Sequence, residues 1–196
     1  MRSLPSPSAL RRSTAILLAA ALLAGLPALA RELHGVKAAE TITAGGKELK
    51  LNGLGLRKKA FFKVYVAALY LESTSKDAAA ILAADGVRRV EMTMLRDLDK
   101  GKIVDAVKDG FKKTAGEAGM PKLQERLDKF TAAIPDLKEG EKLTLMYVPG
   151  TGTSVTGGSG AAMSVEGKDF ADALFSVWLG KEPVSESLRD GMLGIE

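Results

Sequence analysis

The chain has 196 residues, no cysteine, and 28 Lys and Arg against 24 Asp and Glu, so its formal net charge is +4. A chain without cysteine has no disulfides, thiolate metal sites or cysteine nucleophiles. Three of the basic residues lie in the first 30 positions, which contain no acid, so residues 31–196 hold 25 basic against 24 acidic residues. This near-neutral balance argues against nucleic-acid binding, which needs a basic face.

Residues 1–30 are predicted to be a signal peptide. Arginines precede the apolar segment 15–26, and the "ALA" at 28–30 is a small-x-small cleavage signal. The apolar segment is shorter than a typical membrane-spanning helix, which favours a removed leader over a retained anchor. We therefore expect a periplasmic or secreted protein, with residues 31–196 forming one domain and no transmembrane segment after the leader is removed.

The next elements along the chain are predicted strands. Residues 59–72 carry Phe, Val, Tyr and Leu on both alternating faces, which is typical of a strand covered on both sides. Residues 87–95 and 142–148 alternate apolar and polar side chains, as strands with one buried face do. The Gly-rich stretch 149–165 predicts turns around short strands, because it lacks the Gly-Lys-Ser/Thr ending of a phosphate-binding loop.

Apolar residues at helical spacing predict helices. Asp99 is predicted to be an N-cap, and Pro121 is predicted to be the first residue of a helix. The lysines on the polar faces of these helices are predicted to lie in solvent. The predicted helices span 76–84, 99–115, 121–134, 168–179 and 183–193. Trp178 falls on an apolar stripe and is predicted to lie in the core. Strands followed by helices, a hairpin and further helices indicate an α+β protein rather than alternating βαβ units.

Arg57 is the charged residue that needs an explanation, because it stands before the apolar run that contains Tyr65. An arginine inside the protein requires an anion or carboxylate partner, and the Tyr65 hydroxyl could add a hydrogen bond. Alternatively, Arg57 lies in a solvent-facing turn beside Lys58 and Lys59. His34, the only histidine, is expected to be structural or exposed, and alone it cannot form a protein zinc site.

Three segments resemble a known family. The segments "NGLGLR" (52–57) and "FFKVYVAALYLE" (61–72) resemble the N-terminal signature of the chalcone isomerase fold, in which a Gly-x-Gly-x-Arg turn precedes a long strand. The segment "GKDFADALFSVWLGKEPVSESLRDGMLG" (167–194) is similar to the closing helices of the bacterial chalcone isomerase-like proteins. The resemblance implies an antiparallel β-sheet backed by helices, an open-faced sandwich with a cleft between the layers.

The resemblance also implies a site. In the plant isomerases an arginine matching Arg57, a threonine matching Tyr65, a tyrosine and a lysine line the cleft and close a chalcone into a flavanone. This sequence has no tyrosine between Tyr70 and Tyr147, and neither Lys100 nor Lys102 matches the catalytic lysine securely. The fatty-acid-binding branch of the fold instead uses an arginine and a tyrosine at these places to hold a carboxylate, and this sequence keeps that pair.

The sequence and the resemblance together predict a non-catalytic protein that binds a small amphipathic carboxylate, such as a fatty acid, through Arg57 and Tyr65. No metal, cofactor or catalytic residue is predicted, and the oligomeric state is left open. Two alternatives remain: an intramolecular lyase in which Arg57 polarises a carbonyl, and a haem-binding protein with His34 or Tyr65 on the iron.

Overall fold

The computed structural model describes residues 29–158 and 160–195, so the predicted leader lies almost wholly outside the described residues. Nine strands and four helices lie in the described part of the chain. They are β1 (Ala30–Leu33), β2 (Val36–Ala39), β3 (Thr41–Ala44), β4 (Lys47–Lys59), β5 (Phe62–Leu71), α1 (Ala78–Ala83), β6 (Arg88–Met94), α2 (Lys100–Ala132), β7 (Lys142–Val148), β8 (Gly152–Gly157), β9 (Gly160–Val165), α3 (Lys168–Leu179) and α4 (Glu186–Met192).

Seven of the strands form one antiparallel sheet in chain order, from β3 to β9. Strands that follow one another along the chain are therefore neighbours in the sheet, including β6 and β7, which α2 separates in sequence. Strands β1 and β2 pair separately as a hairpin. The helices pack on the sheet, which confirms the predicted α+β class with an antiparallel sheet backed by helices.

Strand β5 is covered on both faces, as its sequence predicts. Tyr65, Ala67 and Leu69 point into the main core between the sheet and the helices. Ala68 and Tyr70, on the opposite face, pack in a second cluster with residues of β2, β4 and the β3 hairpin. The alternation follows from the two-residue period of a strand, and the two clusters explain why neither face of β5 needs polar residues.

The main core is organised around α3, whose side chains from Phe170 to Leu179 are nearly all buried. Phe170 lies between Phe111 and Phe130 of α2, with ring centroids 5.1 and 5.3 Å apart and tilted ring planes. Tilted pairs at this separation are a favourable arrangement of aromatic rings. The predicted burial of Trp178 is confirmed at 3% exposure.

Helix α2 consists of two helical segments that meet at a break, which agrees with the prediction of two helices at 99–115 and 121–134. Asp99 caps its N-terminus as expected, accepting a hydrogen bond from the Gly101 amide at 2.7 Å. The break comes at Gly116, whose φ of 61° and ψ of 178° are not helical. Pro121 lies inside the second segment rather than at its start. No helix of the described residues is long and apolar enough to cross a membrane.

The Gly-x-Gly-x-Arg segment is part of strand β4, which corrects the expectation that it forms a turn. A side chain at Gly53 would collide with the backbone of Gly191, and one at Gly55 with the carbonyl of Leu188. The two glycines therefore let α4 lie directly on β4. Strands β1 to β3 and most of β4 were also not predicted, although Ile42, Leu49 and Leu51 alternate with polar residues there.

Candidate functional site

A cavity of about 490 Å³ opens at one end of the sheet, between β5, β6 and the facing parts of α2 and α3. Its volume falls within the range of about 300–1,000 Å³ that is usual for small-molecule sites. The wall is mostly apolar. Its apolar lining residues are Ala60, Phe62, Val64, Met92, Met94, Leu98, Ile103, Ala106, Val107, Leu143, Val177, Trp178 and Val184.

Local sequence patterns place these apolar side chains. Met92 and Met94 share the core-facing side of β6 because they are two residues apart. Ile103, Ala106 and Val107 lie one helical turn apart near the start of α2, so they share the face that turns towards the sheet. Two methionines on the wall make it adaptable, since a thioether side chain fills irregular space.

Arg57 and Tyr65 are directly opposite each other on β4 and β5. Side chains of paired antiparallel residues lie on the same face of the sheet, and both residues line the cavity. Arg57 is half-buried, and its guanidinium donates a hydrogen bond to the carbonyl of Lys58. Of the two positions left open by the sequence, the structure thus favours an arginine facing the cavity over one confined to a solvent-facing turn.

The Tyr65 hydroxyl is held in the cavity wall by Trp178. The indole Nε1 donates a hydrogen bond to the Tyr65 oxygen at 3.0 Å. Burial raises the pKa of Tyr65 to about 12, while the indole hydrogen bond and the charge of Arg57 oppose this rise more weakly. The hydroxyl is therefore protonated at neutral pH, and its own hydrogen has no acceptor among the described residues.

The mouth of the cavity is positively charged. Lys59, Arg96 and Lys102 line it together with Arg57 and a single acid, Asp97. Asp97 is already engaged by other groups, because Lys138 Nζ donates to it at 2.8 Å and the Glu139 amide at 3.0 Å. The Lys138 hydrogen bond is the largest cause of the lowered pKa of Asp97. The basic groups at the mouth are thus left without a carboxylate of their own among the described residues.

The structure brings together the predicted pair Arg57 and Tyr65, but it places His34 elsewhere. His34 lies exposed at the turn between β1 and β2, and its Nδ1 accepts a hydrogen bond from Lys63 at 3.1 Å. It does not line the cavity, so the hypothesis of iron ligation by His34 finds no support there. No group of three His, Cys, Asp or Glu side chains in the described part of the chain could hold a metal ion.

Several members of the site could not be predicted from the sequence. Lys102, which helical spacing places on a solvated face, also lines the cavity mouth, and no sequence pattern indicates Arg96 or Lys59 as members of the site. Trp178 was predicted as a core residue, and its second role as hydrogen-bond donor to Tyr65 depends on the packing of α3. Tyr147, unlike Tyr65, does not line the cavity, and its hydroxyl donates a hydrogen bond to Asp85 at 2.7 Å.

The fold and the cavity define a small α+β protein in which an antiparallel sheet and its helices enclose a ligand-sized pocket. The family model for chalcone isomerase-like proteins matches residues 30–194. The chain therefore belongs to the chalcone isomerase-like family, which confirms the resemblance seen in the sequence.

One solved structure to which the chain is similar is the crystal structure of a fatty-acid binding protein from Arabidopsis thaliana. The two are 18% identical and superpose with a TM-score of 0.63, over 81% of this chain and 92% of that chain. At this identity the likeness establishes the shared fold. Comparison with curated proteins gives no match.

Proposed function

We propose that the protein binds a fatty acid, or a closely similar amphipathic carboxylate, in this cavity and does not transform it. The observation that carries the proposal is the pair Arg57 and Tyr65 at the polar end of an otherwise apolar cavity. A guanidinium and a protonated hydroxyl on one face suit the two oxygens of a carboxylate.

The apolar wall supplies the affinity in this proposal. Each methylene group transferred from water contributes about 0.8 kcal/mol, so a chain of about ten carbons outweighs any single polar contact. The hydrogen bonds to a charged head group contribute about 1.5–3 kcal/mol each. Their main effect is to fix the orientation of the ligand, with its carboxylate towards Arg57 and its tail towards Met92 and Val107.

Electrostatics favour an anion over a neutral ligand. Arg96 and Lys102 line the same cavity mouth as Arg57, and Asp97 is compensated by Lys138. The likeness to the Arabidopsis fatty-acid binding protein supports the same class of ligand, since the two proteins share a fold.

The state of Tyr65 supports binding rather than catalysis. With its pKa raised to about 12, the hydroxyl is a hydrogen-bond donor at neutral pH and a poor general base. If the protein were instead an intramolecular lyase, chalcones mixed with it would lose their absorbance as the ring closes. We expect no such change beyond the rate of the uncatalysed reaction.

Export belongs to the same proposal. The apolar segment at 15–26 and the small residues before Arg31 are the features that support it. N-terminal sequencing of the protein from its own cells should begin at Arg31 or within a residue or two of it. An intact Met1 on the soluble protein would contradict export.

Paired ligands provide the test of the binding proposal. A fatty acid and the fatty alcohol of equal chain length are titrated against the wild-type protein and Arg57→Ala. The variant should bind the acid about a hundredfold more weakly, equivalent to about 2–3 kcal/mol, with a much smaller loss for the alcohol. Lys112→Ala, which removes an exposed cation outside the cavity, should change neither affinity.

Equal losses for acid and alcohol would overturn the role of Arg57 as carboxylate partner. Failure of the wild-type protein to bind any fatty acid would overturn the proposed function itself. Native mass spectrometry of the protein from its own cells adds an independent check, because a retained ligand would appear as a defined added mass.

A further inference from the structure

The turn between β4 and β5 carries an unusual combination of residues. Residues 57–63, "RKKAFFK", contain four cations and no acid, and we refer to them as the basic tip. Phe61 is 100% exposed and Phe62 is 59% exposed. The two other exposed large apolar side chains among the described residues, Leu29 and Ile195, lie near the ends of the described chain.

The backbone of the basic tip does not account for these residues. Lys59 pairs with Phe62, so Ala60 and Phe61 form a two-residue hairpin turn. Such turns usually carry Gly or Asn, which accept positive φ angles without strain. Here Ala60 has a φ of 52°, an uncommon conformation for a residue with a Cβ. Ala60 therefore occupies a turn position that favours Gly, and the turn geometry gives no reason for the fully exposed ring of Phe61 beside it.

Positive charge surrounds the exposed rings. Lys58 and Lys63 pair across the hairpin, and both are exposed. The Arg96 guanidinium lies 4.6 Å from the centre of the Phe62 ring, where the face of the ring attracts a cation. Aromatic side chains flanked by Lys and Arg are the combination that binds the interface of an anionic bilayer, with the rings among the acyl chains and the cations at the lipid phosphates.

We propose that the basic tip docks on an anionic phospholipid surface, with Phe61 and the edge of Phe62 inserted between lipids and Lys58 and Lys63 at the headgroups. This goes beyond the proposed binding of a fatty acid and does not depend on it. A second copy of the chain is a poorer occupant, because a tip-to-tip contact would bring eight cations together without a compensating acid within residues 57–63.

Docking would also orient the cavity. Lys59, Ala60 and Phe62 belong to the basic tip and line the cavity mouth as well. A tip seated at the bilayer therefore turns the mouth of the cavity towards the lipid. An amphipathic ligand could then pass between membrane and cavity with little exposure of its tail to water.

The test uses the full chain and a tryptophan at the tip. Phe61→Trp keeps a large aromatic side chain, and its fluorescence is followed with vesicles that contain brominated phospholipid, a quencher within the acyl region. Wild-type protein gives the baseline, because its only tryptophan is the buried Trp178. Ile195→Trp is the control, because it places a tryptophan at an exposed apolar position outside the basic tip.

We expect added quenching for Phe61→Trp on vesicles of phosphatidylcholine mixed with phosphatidylglycerol, and much less on phosphatidylcholine alone. Added salt should reduce it, since screening weakens exposed charge interactions. Lys58→Glu with Lys63→Glu should weaken vesicle binding by about tenfold or more. Lys112→Glu with Lys122→Glu changes the net charge equally on exposed sites of α2 and should have little effect.

Lys58 and Lys63 do not line the cavity, so their double variant should still bind fatty acid in the absence of vesicles. This readout separates the two proposals, because docking can fail while ligand binding persists, and the reverse. Absence of added quenching for Phe61→Trp would overturn docking, as would equal quenching for Ile195→Trp. Self-association abolished by the tip variants, without vesicle binding, would assign the tip to a second copy instead.

Discussion

Arg88 in β6 and Arg57 in β4 belong to the same sheet, but their guanidinium groups have different surroundings. Arg88 is 1% exposed, and its two terminal nitrogens donate to Asp172 and to the carbonyls of Ile81 and Leu82. Its guanidinium carbon also lies 5.1 Å from the ring centres of Tyr147 and Phe175. Only its Nε lacks an acceptor among the described residues.

Arg57 is only half-buried, and the hydrogen bond found for its guanidinium goes to the carbonyl of the next residue, Lys58. The rest of its hydrogen-bonding capacity faces the cavity and solvent. A guanidinium offers five N–H donors, so Arg88 uses most of its donors on protein groups while Arg57 keeps most of its donors available. The contrast separates an arginine whose donors are taken up within the fold from one whose donors remain available to a ligand.

The largest expected effect tests the contribution of Arg88 to the stability of the fold. Arg88→Ala should lower the free energy of unfolding by about 3–5 kcal/mol, because it removes one partner of a buried ion pair and leaves a space between two rings. Lys168 still donates to Asp172, at 2.6 Å, which favours the lower end of that range. Urea unfolding gives the value, and fatty-acid affinity of the folded variant should be unchanged.

A loss below about 1 kcal/mol would mean that Arg88 contributes little to folding, and that burial and hydrogen bonding do not distinguish Arg88 from Arg57 in stability. Arg88→Met offers a control of similar length. It restores contact with the rings of Tyr147 and Phe175 without the charge, so it separates lost packing from the lost ion pair.

Much of the fold could be predicted where local pattern and tertiary structure agree. Residues 142–148 and 168–179 match β7 and α3 in both bounds, because alternation and helical spacing coincide with the faces that are buried. The Gly-x-Gly part of strand β4 could not be found this way. Gly53 and Gly55 look like turn residues in isolation, and only the approach of α4 explains why a strand carries them.

The candidate site divides in the same way. Arg57 and Tyr65 could be named because the family resemblance carries them, and their pairing follows from adjacent strands. The Trp178 hydrogen bond joins residues 113 positions apart, so no local pattern indicates it. Lys102 has the spacing of a solvated helix residue, and only the docking of the α2 N-terminus brings it to the cavity mouth.

The stability of the protein at alkaline pH tests the burial of Tyr65, the residue paired with Arg57. Its pKa in the folded protein is about 12 against an ordinary value of 10.0, mainly because of burial. Below pH 10 the hydroxyl is protonated in both states, so the full contribution to stability is present. As the pH rises from about 10 to 12 the unfolded chain loses this proton first, and stability falls by about 2–3 kcal/mol for this residue.

Tyr65→Phe isolates that contribution. Tyr70 and Tyr147 also have pKa values raised to about 12, so wild type alone cannot assign the effect. The variant is less stable at neutral pH because the Trp178 N–H loses its acceptor, but this deficit should shrink as the pH passes 10. A deficit that stays constant with pH in urea unfolding would mean that Tyr65 ionises normally and is accessible to water.

The smallest expected effect on stability is that of Arg57, and it decides whether the two arginines differ in role. Arg57→Ala should change the free energy of unfolding by less than about 1 kcal/mol, because the half-buried guanidinium has one described backbone partner and removing it leaves no buried charge uncompensated. Arg57→Lys should be equally neutral in folding but should restore only part of the acid affinity, since an ammonium lacks the planar fork of donors. Urea unfolding of both variants beside Arg88→Ala measures the contrast under one set of conditions. A loss of stability in Arg57→Ala as large as that in Arg88→Ala would make Arg57 a structural residue, and its weaker ligand binding could then no longer be assigned to a missing carboxylate contact.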